Sequence, residues 1–252
     1  MKEFLILVCL MCILRSEAIP FSRIANGKVA TDDLHACMVL VIRPEQLGTD
    51  LATLGSGSII STRHVLTSAH LASGIGNTFQ INFFVLTSRR SFQSKFALVH
   101  ESFDEATYVN DIALIFLQGN NFFSTLNIIR VSMANVEAGV TGTVTGYGFT
   151  SKQTMGMASL QPMSVNQTVT IACDFKNYEA ATSHFCAIDQ VTLGIVCPGD
   201  NGAGLYVKNT SSGENELIGV VSRIIKGCSK ADYTAYTRLS LFSTWINAIT
   251  NM

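Results

Sequence analysis

The sequence predicts an all-β sandwich or barrel that ends in a single helix. Short apolar or alternating runs, rich in Val, Ile, Phe and Thr, recur along the chain, and Gly, Asn, Ser and Thr separate them. With four prolines, no low-complexity stretch and no repeat of fixed period, neither a linker nor a repeat architecture is indicated. The runs that we expect to form strands are residues 37–42, 57–61, 79–86, 92–99, 111–117, 141–147, 204–208 and 217–222.

The last segment of the chain is the one convincing helix. Its apolar residues recur at helical spacing and so share one face. We expect that face to cap the core of the β structure. The residues are Leu239, Phe242, Trp245, Ile246 and Ile249.

Length and charge limit the classes of function. The chain has 252 residues, enough for one large β unit or two small domains. Its 17 basic and 18 acidic side chains give a net charge of −1, which offers no field to attract nucleic acid or an anionic membrane surface. Charged residues make up 14% of the chain, against roughly 25% in ordinary globular proteins. We therefore expect a folded protein with a weakly charged surface and no nucleic-acid or membrane partner.

The N-terminal segment is typical of a signal peptide. Lys2 precedes an apolar run at residues 4–14, which is too short to cross a bilayer but suits a signal-peptide core. Residues 16–18 (Ser-Glu-Ala) then offer small side chains at the positions that a signal peptidase reads. We predict a signal peptide over residues 1–18 and a secreted product; the alternative is a buried N-terminal helix.

Secretion changes the interpretation of the seven cysteines. Two of them, Cys9 and Cys12, lie in the predicted signal peptide, and an oxidising compartment should pair four of the remaining five. Beyond the predicted signal peptide there is no Cys-x-x-Cys and no closely spaced His/Cys cluster, so we predict neither a metal site nor a cofactor. Two N-glycosylation sequons begin at Asn166 and Asn209.

Three segments together indicate chemistry. An apolar run ends in His70, Asp111 opens an apolar strand, and a glycine-rich loop at residues 198–204 follows Cys197. Taken singly, the histidine is more often structural and the aspartate more often a turn residue at a strand edge. The loop is of the kind whose backbone N–H groups can converge on one point, as an oxyanion site requires.

In this order, the segments resemble those of a secreted serine protease of the trypsin/chymotrypsin family. Residues 21–27, 145–148 and 219–222 and the final helix extend the likeness from Arg23 to the C-terminal helix. The resemblance implies two packed six-stranded antiparallel Greek-key barrels of the chymotrypsin type with a C-terminal helix. It also implies a propeptide at residues 19–23, cut after Arg23, and a trypsin-like domain at residues 24–252.

The resemblance assigns roles to individual residues. His70 and Asp111 would be catalytic, and the backbone of Gly199 and Asn201 would form the oxyanion site. The new N-terminus at Ile24 would pair with Asp200 on activation. The remaining implied features are disulfides Cys173–Cys186 and Cys197–Cys228, and a specificity pocket that includes Ile195, Ser222, Arg223 and Ile224.

The departures from the family pattern decide the functional prediction. Asn201 stands where the family has its nucleophilic serine. An asparagine amide cannot attack a carbonyl because its nitrogen lone pair is delocalised into the C=O. Removing the serine from a related triad costs about 2 × 10⁶ in turnover, or roughly 8–9 kcal/mol of transition-state stabilisation. We therefore predict no hydrolysis.

Further departures affect the cleft and the cysteines. Ile195 excludes an acidic pocket base, and Arg223-Ile224 replaces the usual Trp-Gly, so we expect the pocket entrance to be obstructed. Gly55 and Leu71 stand in place of a family cysteine pair. Cys37 has no family partner and is either a buried free thiol or a link to another chain, as in a disulfide-linked dimer.

The sequence thus resembles the non-catalytic serine protease homologues common in arthropods. We expect a secreted protein that binds an extracellular partner, namely a protease, an inhibitor or another cascade component, in a proteolytic cascade, in immunity or in a secretion such as saliva, gut fluid or venom. One alternative is an active chymotrypsin-like endopeptidase of apolar specificity. A second is a structural or storage protein of a secretion.

Overall fold

A computed structural model describes residues 24–44, 52–73, 79–85, 88–118, 128–148, 162–170, 182–224 and 233–250. The predicted signal peptide and propeptide, including Arg23, lie outside the described residues, as do Cys173 and Cys228. The first described elements are a two-residue strand, β1 (Lys28–Val29), and a short helix, α1 (Asp32–His35).

Six strands form a closed antiparallel barrel in the first half of the chain, in the order β2-β3-β4-β7-β6-β5. A four-residue helix, α2 (Ala69–Ala72), follows β4. The strands are β2 (Met38–Pro44), β3 (Ala52–Ile59), β4 (His64–Thr67), β5 (Gln80–Val85), β6 (Ser88–Val99) and β7 (Ala113–Leu117).

Six further strands form a second closed ring, in the order β9-β10-β11-β14-β13-β12, which closes because β9 pairs with both β10 and β12. Strand β1 adds to β10, and a short strand, β8 (Arg130–Val131), adds in parallel to β13. The ring strands are β9 (Thr141–Gly146), β10 (Met163–Thr170), β11 (His184–Ile188), β12 (Gly204–Lys208), β13 (Asn215–Ile224) and β14 (Thr234–Arg238).

Three apolar clusters hold this arrangement together. One fills the first barrel and contains Val65 and Ile115, and another fills the second barrel and contains Val144 and Phe185. The third lies between the barrels, where Leu66 of β4 packs in the same cluster as residues of β12 and β13. Burial of apolar surface is the main favourable term in folding, so this shared cluster fixes how the barrels meet. Polar residues placed at the junction are therefore held by both barrels.

The C-terminal segment confirms the helix prediction. A 3₁₀ turn over Leu239–Phe242 leads directly into α3 (Ser243–Thr250). Leu239, Phe242 and Ile246 are buried in the cluster between the barrels, and Trp245 and Ile249 pack against it half-buried. None of the helices in the described ranges is long and apolar enough to cross a bilayer.

The predicted fold class, a double β-barrel with a C-terminal helix, is confirmed. Each run predicted to be a strand overlaps an observed strand, but the run at residues 57–61 covers only the end of β3, which begins at Ala52. Strands β1, β4, β8, β10, β11 and β14 lie outside the predicted runs.

Candidate functional site

His70 is placed by the short helix that follows β4. Thr67 ends the strand, Ser68 is still extended, and α2 begins at Ala69. Ala69 and Leu71 are buried in the first barrel, so the intervening residue points the other way, and the His70 side chain keeps 15% of its surface exposed.

The Asp111 carboxylate hydrogen-bonds to both the backbone and the ring of His70. Its Oδ1 accepts the backbone N–H of His70 at 2.8 Å, and its Oδ2 lies 2.7 Å from Nδ1 of the ring. An ionised carboxylate only accepts, so this pattern assigns a hydrogen to Nδ1 and leaves Nε2 facing away from Asp111. Asp111 is fully buried two residues before β7 begins, and Asn110 before it takes a left-handed φ of 57°.

The second barrel also contacts Asp111. Ser222 of β13 donates its hydroxyl to Oδ2 at 2.5 Å, and Thr237 of β14 donates to the backbone carbonyl at 2.7 Å. The aspartate therefore receives donors from both barrels. This matters because a buried charge is stable only when hydrogen-bonded donors compensate for lost hydration.

Asn201 lies in a tight turn before β12. The N–H of Asp200 bonds to the carbonyl of Cys197 at 2.9 Å, and the N–H of Ala203 bonds to that of Asp200 at 2.8 Å. The Asn201 carbonyl accepts the N–H of Ser56 at 2.8 Å, which ties the turn to the first barrel. A β-carbon on Gly202 would lie 2.1 Å from Oγ1 of Thr67, so only glycine fits there.

Two backbone donors of this turn are unused. Within the described ranges, neither the N–H of Gly199 nor that of Asn201 donates a hydrogen bond. Gly199 has a φ of 93°, a left-handed conformation that favours glycine. Likewise, no hydrogen bond among the described residues joins the half-buried Asn201 carboxamide to His70. The turn thus has two unused N–H donors, and it contacts Thr67 and Ser68, the residues that lead into the helix of His70.

Asp200 is a fully buried carboxylate beside this turn. Its Oδ1 accepts the N–H of Gly148 at 2.7 Å, and its Oδ2 accepts the N–H of Cys197 at 2.9 Å. Burial raises the pKa of this carboxyl to about 7, while the two backbone donors act in the opposite direction. A β-carbon on Gly146 or Gly148 would lie within 2.6 Å of a carboxylate oxygen, so both glycines leave room for the group. Ile24, its predicted partner after activation, is itself fully buried.

The predicted specificity residues occupy different environments. Ile195 is half-buried, and its backbone pairs with Ala25 at 2.9 and 3.1 Å. Arg223 is exposed, and its guanidinium carbon lies 5.1 Å from the ring centre of Tyr108. That ring in turn lies 5.0 Å from the His70 ring. A cation–aromatic stack therefore lies beside the histidine.

Ile224 differs from the expectation of an obstructing side chain. It is half-buried and packs against the apolar cluster inside the second barrel. Arg223 and Tyr108, rather than Ile224, are therefore the bulky groups described beside His70. The sequence analysis did not identify Tyr108. Its position three residues before Asp111 could have indicated that it lies near the site.

The cysteines are partly described. Cys186 and Cys197 are each disulfide-bonded, whereas their predicted partners lie outside the described residues. Cys37 is a free, buried thiol whose Sγ donates to the Leu34 carbonyl at 3.2 Å. Burial raises the pKa of this thiol to about 12, against the lowering effect of a hydrogen bond with Tyr206. Among the described residues, no group of three or more His, Cys, Asp or Glu side chains could hold a metal ion.

The comparisons with known proteins agree with the observed fold. A solved structure of HL collagenase aligns with a TM-score of 0.74 over 91% of this chain and 99% of that chain, at 23% identity, which shows the fold alone. Serine protease filzig of Drosophila melanogaster is 31% identical over 91% of this chain, but the chain spans only 14% of filzig. The clotting factor G beta subunit of Tachypleus tridentatus is 26% identical, over 91% of this chain and 80% of its own length.

A family model described as Trypsin matches residues 24–246, which include every described residue of the candidate site. The relatives named above are arthropod proteins, and the two β-barrels meet at His70, Asp111 and Ser222. The chain belongs to the trypsin family of serine proteases and their homologues.

Proposed function

We propose that the chain is a secreted, non-catalytic serine protease homologue that acts by binding another extracellular protein. The observation that carries the proposal is Asn201. It stands where the family resemblance expects the nucleophilic serine, in a turn that is tied to the first barrel through Ser56, and the same barrel carries the hydrogen-bonded pair of His70 and Asp111. The hydrogen-bonded His70 and Asp111 and the unused N–H groups of the turn would suit acyl transfer, but a carboxamide at position 201 cannot form an acyl-enzyme.

The energetic consequence is large. Loss of the nucleophile in a related triad reduces turnover by about 2 × 10⁶, and oriented donors and binding leave only about 10³–10⁴ over the reaction in water. The unused N–H groups of Gly199 and Asn201 would supply part of that remainder. Such a rate does not support a working protease, so selection for this scaffold must rest on another property, which we take to be binding.

The cleft supports binding rather than turnover of ordinary peptides. Arg223 stacks on Tyr108 beside His70, at a position where the family usually has tryptophan. Ile195 offers an apolar group where an aspartate would pair with a basic substrate side chain. As partner class we propose a protease, an inhibitor or another component of an extracellular cascade, with no nucleic acid and no membrane. One relative is a clotting factor subunit, which favours this class.

A covalent probe tests the absence of hydrolysis. Protein cleaved after Arg23 is incubated with a phosphonate that labels active-site serines, with active trypsin as the positive control. We expect no stoichiometric label, because the probe needs a serine alkoxide at position 201. Stoichiometric labelling of the purified protein, mapped to a residue of the cleft, would contradict the proposal.

The second candidate is an active endopeptidase, which the intact pairing of His70 and Asp111 favours. It requires a nucleophile other than Asn201, and the same probe identifies one if it exists. The third candidate, a structural or storage protein, is separated by affinity capture from the native fluid. A partner recovered at fixed stoichiometry, and re-formed from purified components, favours regulation; abundant protein without such a partner favours storage.

A further inference from the structure

A second buried histidine adjoins the candidate site. His184 lies at the start of β11 with 2% of its surface exposed. Its Nε2 lies 3.1 Å from the hydroxyl of Ser222, and its Nδ1 lies 2.9 Å from the hydroxyl of Ser183. Ser222 is the residue that donates to Asp111. Sequence reasoning assigned no role to His184, and none of the family motifs includes it.

The hydrogen-bond pattern determines which atoms carry a hydrogen in the chain of contacts from His184 through Ser222 to Asp111. Ser222 has one hydroxyl hydrogen, and the ionised Asp111 can only accept, so the serine donates there. The Ser222 oxygen must then accept from His184, which places a hydrogen on Nε2. A neutral ring is then an acceptor at Nδ1, and Ser183 supplies the matching donor. Every polar atom of the His184 ring is therefore satisfied with the ring uncharged.

We propose that His184 is a positioning residue that acts on His70 through Ser222 and Asp111. By donating to the Ser222 oxygen, it fixes the orientation of the serine hydroxyl and strengthens the donation to Oδ2 of Asp111. Hydrogen bonds in such a chain polarise one another, most strongly where water is excluded. Oδ2 is also the oxygen that binds Nδ1 of His70 at 2.7 Å. A change at His184 thus reaches the ring of His70 without touching it.

The same path connects the two barrels. His184 and Ser222 belong to β11 and β13 of the second barrel, whereas Asp111 and His70 belong to the first. The Arg238 guanidinium also donates to the His184 carbonyl at 3.2 Å, which holds the start of β11 in place. His70 and Asp111 therefore have a structural use that does not depend on hydrolysis. This inference stands whether or not the chain is an enzyme.

The Nδ1 proton of His70 provides a direct measurement. We compare its NMR resonance in the wild-type protein with that in His184→Met, which keeps the apolar volume but removes the donor. We expect the resonance to shift, because Asp111 then shares less of its charge with Ser222 and more with His70. His184→Gln, whose amide nitrogen reaches the position of Nε2, should restore the wild-type resonance, whereas the shorter His184→Asn should not. This Gln/Asn pair gives the same comparison if the methionine variant does not fold.

His64→Met is the matched control. His64 is also buried, at 7% exposure, and its Nδ1 lies 2.6 Å from the Ser61 hydroxyl, but it has no contact with Asp111 or Ser222. We expect this variant to lose stability with no shift at His70. An unchanged His70 resonance in His184→Met, or an equal shift in His64→Met, overturns the proposal.

A double-mutant cycle provides the second measurement. His184→Met should raise the unfolding equilibrium constant about tenfold, the usual effect of losing one buried hydrogen bond. In a Ser222→Ala background it should raise the constant far less, because the bond is already gone. Simple additivity of the two substitutions would show that His184 does not act through Ser222.

Discussion

A β-carbon on Gly55 would lie 2.2 Å from Cδ2 of Leu71, so the leucine fills the space directly beside the bare backbone of the glycine. Gly55 belongs to β3, and Leu71 belongs to the helix that carries His70. These are the two positions where the family resemblance expects a disulfide. Leu71 is 1% exposed and packs in the cluster that fills the first barrel. Apolar packing of Leu71 on Gly55 therefore replaces the disulfide that the family resemblance expects next to the histidine.

This packing predicts coupled stability effects. Leu71→Ala should cost about 2–5 kcal/mol by opening a cavity. Gly55→Ala should cost about 1–3 kcal/mol, since the added methyl meets Leu71. In a Leu71→Ala background the Gly55→Ala cost should fall, but not vanish, because the methyl also approaches the Asn201 carbonyl at 2.9 Å. Denaturant unfolding measures the cycle. Ile115→Ala, in the same cluster, is the control and should not reduce the Gly55→Ala cost.

Substitution at the proposed nucleophile position is the second prediction. Asn201→Ser in the cleaved protein should restore little hydrolysis, because the stack of Arg223 on Tyr108 still lies beside His70. Adding Arg223→Ala, which removes the stack on Tyr108, should raise peptide hydrolysis further, by about tenfold or more, which corresponds to about 1.4 kcal/mol of transition-state stabilisation. Burst titration with an active-site reagent measures each variant. Activity of the single variant at the level of an ordinary family protease would show that the cleft is not obstructed.

The buried Asp200 predicts a pH dependence of stability. Burial raises its pKa to about 7 in the folded state, above the value of about 3.9 expected when unfolded. The folded state therefore holds the proton more tightly, so this group stabilises the fold at low pH, and the contribution is lost as pH rises from about 4 to about 7. The slope should approach about 1.4 kcal/mol per pH unit in uncleaved protein. Asp200→Asn should remove it in urea unfolding series.

Cleavage after Arg23 should change that slope if the activation switch operates. A new ammonium group at Ile24 that pairs with Asp200 would lower the pKa of the carboxyl. The free energy of unfolding would then no longer fall between pH 4 and 7 on account of this group. Comparing intact and cleaved protein across this range measures the effect. Identical pH profiles in the two forms would show that the switch is not retained.

Cys37 should be inert in the native protein. With its pKa raised to about 12 by burial, the thiolate fraction near pH 8 is roughly 10³-fold below that of an ordinary cysteine, and the group is also inaccessible. Reaction with a disulfide reagent should be at least that much slower before denaturation than after it. Rapid native labelling, or a disulfide dimer lost in Cys37→Ser, would instead support the link to another chain.

The two sequons should differ in occupancy. Asn166 is exposed on β10 and uses only its carbonyl oxygen, which accepts from Thr143 at 2.8 Å. Asn209 is half-buried, and its amide nitrogen donates to Glu216 at 2.9 Å. We expect a glycan mainly at Asn166, and we expect Asn209→Gln to cost about 1 kcal/mol through loss of that charged bond. Glycopeptide mass spectrometry and unfolding of the two Asn→Gln variants check both expectations.

Local patterns in the sequence were sufficient for the fold class and the last helix. Strands such as β7 and β12 were found because apolar residues run through them without interruption. Strand β10 was missed because Asn166, Gln167 and Thr168 interrupt its apolar pattern. Gln167 is nevertheless 1% exposed, since it accepts the hydroxyl hydrogen of Tyr236 at 2.6 Å. A buried polar residue that is paired across the sheet does not contribute to an apolar pattern, so its strand cannot be predicted from that pattern.

The sequence by itself determined the kind of scaffold, the order of His70, Asp111 and Asn201, and the presence of a carboxamide at position 201. These follow from residue types and from spacing along the chain. Only the tertiary structure decided that His184 adjoins Ser222, that Arg223 lies over Tyr108, and that Leu71 fills the space at Gly55. Each of these contacts joins residues at least 16 positions apart, and packing and hydrogen bonding within and between the barrels, rather than any local pattern, bring them together.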